Sequence, residues 1–275
     1  MDIQKIGFVG GGNMASSLIG GLIGNGYPAD KITVSDLDAD KVQYLADTFG
    51  VNIALGSAEL ASGSSILVLA VKPQHIQVVS EQIVDAVQAN KPVVVSIAAG
   101  IREESLERWL GGSVAIVRCM PNTPALVKAG ATGLHANNFV STEQKDQTES
   151  LLRAVGVTVW VKKESDLDAV TALSGSGPAY FFLVMEALEK AAIDAGLDPK
   201  TAQLLTQETA LGAAKMALQS SESTETLRCR VTSPGGTTER AIAVMESGGL
   251  RDVLHDAVLA ARERSVELSD ELGRI

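Results

Sequence analysis

Cysteine, histidine and aromatic residues are all scarce in this 275-residue chain, which has two Cys, three His, two Trp, three Tyr and five Phe. Cys119 and Cys229 stand far apart and form no CxxC pair. That excludes a disulfide framework and a Cys-based metal site, and suits a reducing cytosol. His75, His135 and His255 lack the spacing that would turn two imidazoles toward one ion, so no metal is expected. So few aromatics leave no base-stacking platform. Positive charge is also short, with 23 Lys+Arg against 33 Asp+Glu and a net charge of −10, the wrong sign for a nucleic-acid partner. No apolar run reaches the roughly 20 residues that span a bilayer. The most apolar helical candidate, Pro178 to Met185, is followed by Glu186, Glu189 and Lys190. Near the start, Asp2 and Gly10-Gly11-Gly12 break the apolar stretch, favouring strand–turn–helix over a leader peptide. A cytoplasmic protein away from the membrane is expected.

What is present is an apolar content of 45% with 20% charged residues, enough for a sizeable core. The first half alternates short apolar runs with helical patterns. Ile3–Val9, Lys31–Ser35, Ser65–Val71, Pro92–Ile97 and Val114–Arg118 read as strands. Asn13–Gly24 and Asp38–Phe49 read as helices. Continuous β-branched runs separated by helices indicate a parallel sheet covered on both faces. The fold class is therefore α/β, a doubly wound Rossmann-type domain over residues 1–163. From Ser165 onward strand signals vanish, and Pro178–Ala195, Pro199–Leu218, Thr237–Glu246 and Leu250–Leu272 read as helices. Residues 164–275 thus form an all-helical second domain, by size large enough to stand alone. Its helix at 178–190 is apolar on more than one side, as a central or interface helix would be, and points to a helical dimer.

Val9-Gly10-Gly11-Gly12-Asn13-Met14-Ala15 matches G-x-G-x-x-A between a strand and a helix. Gly10 permits the tight turn, Gly12 lets backbone approach a pyrophosphate, and Ala15 lets the helix sit close on the strand. The helix N-terminus then offers N–H groups to phosphates. At the end of the second strand, Asp36 can accept hydrogen bonds from ribose hydroxyls and would repel a 2′-phosphate, which favours NADH. Asp38 fits the role of helix cap, leaving Asp36 for the ribose. Ala70-Val71-Lys72-Pro73 and Ala98-Ala99-Gly100 follow two further strands at the sheet end where such folds bind ligands.

Two runs of small residues precede helices, Ser174-Gly175-Ser176-Gly177-Pro178 and Val231-Thr232-Ser233-Pro234-Gly235-Gly236-Thr237-Thr238. Such loops expose backbone N–H groups and hydroxyls and suit a carboxylate; simple capping by Ser176, Thr237 or Thr238 is the plainer alternative. No His–Asp pair and no Lys followed by Asn one helical turn later appears after Ser174. Alcohol oxidation needs a base for the hydroxyl proton. Reduction of a protonated imine does not, because position and electrostatics carry it.

In these motifs, together with Arg118-Cys119-Met120-Pro121-Asn122-Thr123-Pro124 and the continuation to Glu239, the sequence resembles the pyrroline-5-carboxylate reductase family over essentially its whole length. The resemblance implies reduction of 1-pyrroline-5-carboxylate to L-proline. It also implies a homodimer with an active site shared between chains, and dimers that assemble further into decamers. The matching cofactor positions are Gly10, Gly12, Asn13, Met14, Ala70, Val71, Lys72 and Pro73, to which the glycine run adds Val9 and Gly11. Ala98, Ala99 and Gly100 would flank the nicotinamide. Ser233 would line the substrate site, backbone at Gly236 and Thr237 would hold the substrate carboxylate, and Thr238 is the catalytic candidate, its hydroxyl on the ring nitrogen. Family members that favour NADPH carry small hydroxyl or amide residues at the 2′-phosphate. This chain offers Ser35 and Ser57 there, but also Asp36, so the expected cofactor is NADPH or NADH. The rival readings are a β-hydroxyacid-type dehydrogenase and a non-catalytic dinucleotide-binding protein.

Overall fold

A computed structural model describes residues 3–273. The chain divides into two compact units, one of residues up to Ser176 together with those from Ala260 onward, the other Gly177–Leu259.

The first unit is built on eight strands: β1 (Ile6–Val9), β2 (Ile32–Ser35), β3 (Asn52–Ile53), β4 (Ile66–Leu69), β5 (Val93–Ser96), β6 (Ile116–Met120), β7 (Gly130–Ala136) and β8 (Gly156–Trp160). Their order in the sheet is β3-β2-β1-β4-β5-β6-β7-β8. Every pairing is parallel except β6 with β7. The central strands are buried on both faces, which is why they read as unbroken apolar runs. Seven helices belong to this part: α1 (Asn13–Gly24), α2 (Ala39–Phe49), α3 (Ser57–Gly63), α4 (Ile76–Asn90), α5 (Glu103–Trp109), α6 (Thr142–Arg153) and α7 (Asp166–Val170). Phe8, Val34 and Val95 face a core shared with Leu18 and Ile19 of α1, Leu45 of α2 and Leu152 of α6. Val9, Leu67 and Val94 face the opposite core with Leu60 of α3, Ile83 of α4 and Leu106 of α5.

The strand expected at Val114 begins instead at Ile116. The side chain of Asn137 explains the shift: its Oδ1 accepts from Ile116 N–H and its Nδ2 donates to Val114 O. Strands β3, β7 and β8 were not anticipated. β3 is two exposed residues, and β7 (GATGLHA) carries neither a β-branched run nor clean alternation.

The segment before Pro178 also differs from expectation. Thr171–Gly175 forms one π-helical turn rather than an open loop, with Ser176 N–H donating to Thr171 O at 2.8 Å. The Ser176 amide is thus engaged within the turn. A methyl on Gly175 would stand 2.6 Å from Met120 Cε, so the Met120 side chain would have to shift to admit it.

The second unit holds α8 (Gly177–Asp194), α9 (Pro199–Gln219), α10 (Thr224–Arg230), α11 (Thr237–Ser247) and the first part of α12 (Leu250–Gly273). Only Gly177 and Ala202 are buried among its residues. Phe181, Phe182 and Leu183 of α8 are each about two-thirds exposed, at 68, 64 and 66%. The expectation of a helical domain able to stand alone is therefore corrected: its apolar surface has no internal core to enter.

Candidate functional site

The glycine turn shows why each small residue is needed. Gly10 has φ +105°, and its N–H donates to Ser35 O at 2.8 Å. A side chain there would meet Ala70 O at 2.6 Å, so the turn presses against the backbone that leaves β4. Gly12 is the N-cap of α1, with no side-chain cap and open space where a Cβ would stand. The first-turn N–H groups of α1 thus face a cradle that a side chain would fill, which is what an approaching pyrophosphate requires. Ala15 is fully buried against the sheet.

Asp36 follows β2, and both of its carboxylate oxygens are engaged. Oδ2 accepts from Gly11 N–H at 2.7 Å and Oδ1 from Asp38 N–H at 2.9 Å. Asp38 caps α2 as expected, accepting from Asp40 N–H at 3.1 Å. The hydrogen bond from Lys41 holds the Asp38 carboxyl below the usual carboxylate range.

A cavity of about 700 Å³ opens along this edge of the sheet. Val9, Gly10, Gly12, Ser35 and Asp36 form one wall, and Ser57, Ala70, Val71 and Lys72 another. The Ser35 hydroxyl is buried without a hydrogen-bond partner and lines this space. Gly11 and Asn13 line an adjoining hollow with Ser16, Lys41 and Tyr44. Met14, Pro73, Ala98, Ala99 and Gly100 line neither. Pro73 begins a short 3₁₀ turn leading into α4. Gly100 has φ +72°, and a side chain on it would touch Leu272 Cδ1 at 3.1 Å.

Among the cavity residues that the sequence reading did not assign, two are leucines. Leu37 and Leu55 line it with side chains fully exposed at 106 and 100%. An apolar residue in each of the polar turns after β2 and β3 was the available signal. Apolar jaws of this kind suit a flat heterocycle.

In the helical unit, Ser233-Pro234-Gly235-Gly236 forms a tight turn with Gly236 N–H donating to Ser233 O at 3.0 Å. Proline second and a glycine at φ +72° third are the type II requirement. Glu239 Oε2 accepts from Gly235 N–H at 2.7 Å and locks the turn from α11. Gly236 is the N-cap of α11, so Thr237 and Thr238 lie in its first turn rather than capping it. Among the described residues their hydroxyls have no partner. No group of three or more His, Cys, Asp or Glu among the described residues could hold a metal ion.

A glycine turn opening a helix, an acidic strand end and a cavity across the switch from β1 to β4 define a dinucleotide-binding protein of Rossmann type. Residues 5–100 match the family model described as NADP oxidoreductase, coenzyme F420-dependent. Residues 164–268 match the pyrroline-5-carboxylate reductase dimerisation model. The chain is 47% identical over 274 residues to the pyrroline-5-carboxylate reductase of Pseudomonas aeruginosa, covering 100% of both chains. The solved pyrroline-5-carboxylate reductase of Coxiella burnetii is 48% identical, with a TM-score of 0.94 over 98% of this chain and 99% of that one. The Plasmodium falciparum enzyme, solved with NADP bound, is 29% identical with a TM-score of 0.86, over 98% of this chain and 99% of that one. The chain belongs to the pyrroline-5-carboxylate reductase family.

Proposed function

We propose that this chain reduces 1-pyrroline-5-carboxylate to L-proline with NADPH or NADH. The observation that carries the reading is a built dinucleotide cradle in a chain whose separate helical unit bears a Ser-Pro-Gly-Gly turn with two unpartnered threonine hydroxyls after it. Gly10, Gly12, Asn13 and Met14 hold the pyrophosphate at the start of α1. Ser35, Asp36 and Ser57 meet the adenosine ribose, Ala70 to Pro73 line the cofactor's path, and Ala98 to Gly100 flank the nicotinamide.

The reduced nicotinamide supplies a hydride to the C=N carbon. The turn after Ser233 positions the substrate. The backbone at Gly236 and Thr237 holds its carboxylate, the Thr237 N–H being unspent on the turn and the Gly236 N–H shared with Ser233 O. The Thr238 hydroxyl hydrogen-bonds the ring nitrogen and fixes which carbon faces the nicotinamide. The protonated imine is already electrophilic, so the chain needs to orient and desolvate it rather than supply a strong base.

The chain forms a homo-oligomer through residues 164–268. We place the active site at the junction of two chains, with dimers assembling further into decamers. The unpaired thiols of Cys119 and Cys229 support a cytoplasmic setting. Product analysis tests the reaction: incubation with racemic 1-pyrroline-5-carboxylate and reduced cofactor yields L-proline in proportion to cofactor oxidised. Absence of proline with cofactor and substrate unconsumed contradicts the reading.

A further inference from the structure

Resting on that reading, we infer that Asp36 makes the adenosine end of the site selective for an unphosphorylated ribose, so that NADH is preferred over NADPH. Three observations carry this.

The carboxylate is fixed in place. Gly11 N–H holds Oδ2 at 2.7 Å and Asp38 N–H holds Oδ1 at 2.9 Å, so Asp36 cannot swing aside without breaking charge-assisted bonds to two backbone amides. The glycine turn is in contact with it, since a Cβ on Gly11 would lie 3.7 Å from Asp36 Cβ.

The carboxylate lines the cavity and can only accept, a match for ribose hydroxyl donors and a mismatch for a phosphate dianion.

Of the two lysines beside the cavity, one is already engaged. The charged and titratable residues lining the cavity are Asp36, Asp38, Lys41, Lys72 and His75, with no arginine among them. Lys41 Nζ lies 3.3 Å from Asp38 Oδ2, so its charge is already matched. Ser35 and Ser57 offer hydroxyls to a 2′-phosphate, but a hydroxyl supplies no charge against Asp36.

The test is equilibrium binding, read by nicotinamide fluorescence, of NADH and NADPH to wild type, Asp36→Ser and Asp36→Asn. AMP and adenosine 2′,5′-bisphosphate serve as competing probes of the adenosine half alone. Wild type is expected to bind NADH roughly tenfold or more tighter than NADPH, and AMP tighter than the bisphosphate. Either neutral variant narrows both ratios by a similar factor. Wild type binding NADPH as tightly as NADH overturns the inference, as does a ratio that neither variant moves. If Asp36→Ser does not fold, Asp36→Asn, which keeps an acceptor for Gly11 N–H, and the wild-type ratio still decide. Turnover separates this inference from the function. Proline formation with NADPH bound more tightly defeats the inference and leaves the reaction standing. The expected binding ratio without proline formation does the reverse.

Discussion

The side-chain amide of Asn122 donates to the carbonyl of Ser174 at 3.0 Å, and its oxygen accepts from Ala131 N–H at 2.9 Å. One residue thereby ties the turn after β6 to the start of β7 and to the π turn. Ser174 lies four residues before Pro178, which has no N–H to give its carbonyl. Asn122, 9% exposed, satisfies a group the proline leaves orphaned. Asn122→Ala strands a carbonyl and an amide together, with an expected loss of about 2 kcal/mol in urea unfolding. An unchanged urea midpoint would show that water replaces both bonds.

Thr238→Ala removes a hydroxyl that has no partner among the described residues, so folding is expected to be unaffected. kcat/KM for 1-pyrroline-5-carboxylate should fall about 10–100-fold, roughly 1.4–2.8 kcal/mol of transition-state stabilisation. Glu239→Ala, which frees the amide of Gly235, should raise KM for the imine more than it lowers kcat. Full activity in Thr238→Ala would remove Thr238 from the site.

The glycine turn and its helix were legible in the sequence because Gly10, Gly12 and Ala15 satisfy purely local geometry. The strands at Ile66–Leu69 and Val93–Ser96 were legible because burial on both faces demands continuous apolar runs. The edge strands were not, since Asn52–Ile53 buries nothing and Gly156–Trp160 alternates half-buried with exposed residues. Nor was the π turn, which packs Gly175 against Met120 across 55 residues of chain. In the site, the acidic residue after β2 could be read, but its bond to Gly11 could not, because only the folded turn brings that amide to it. The helices after Gly177 were legible by period. Their lack of a core was not, because period says that a face is apolar and not what covers it.

That uncovered face predicts the oligomeric state. With Phe181, Phe182 and Leu183 exposed in the single chain, sedimentation at micromolar concentration should show a dimer or larger species. A monomer with native helix content would contradict an interlocked helical pair.

Burial pushes the Cys119 thiol well above its ordinary value, the nearby Arg118 only partly opposing the shift. The neutral thiol is thus the form the fold favours. This contribution to stability is complete below the unfolded thiol's pKa and is lost as pH rises above it toward the folded value. At neutral pH Cys119 should resist a thiol reagent until the protein is denatured, a difference that peptide mass spectrometry reads directly. Rapid labelling of Cys119 in the native enzyme would contradict its buried place within β6.

The most direct test of the central claim is absorbance at 340 nm, with purified enzyme and either 1-pyrroline-5-carboxylate plus reduced cofactor or a series of β-hydroxyacids plus oxidised cofactor. Rapid loss of absorbance with the imine and no gain with the hydroxyacids are expected, since no Lys–Asn pair one helical turn apart follows Ser174 to take a hydroxyl proton. Absorbance that rises with a hydroxyacid and stays flat with the imine would contradict it.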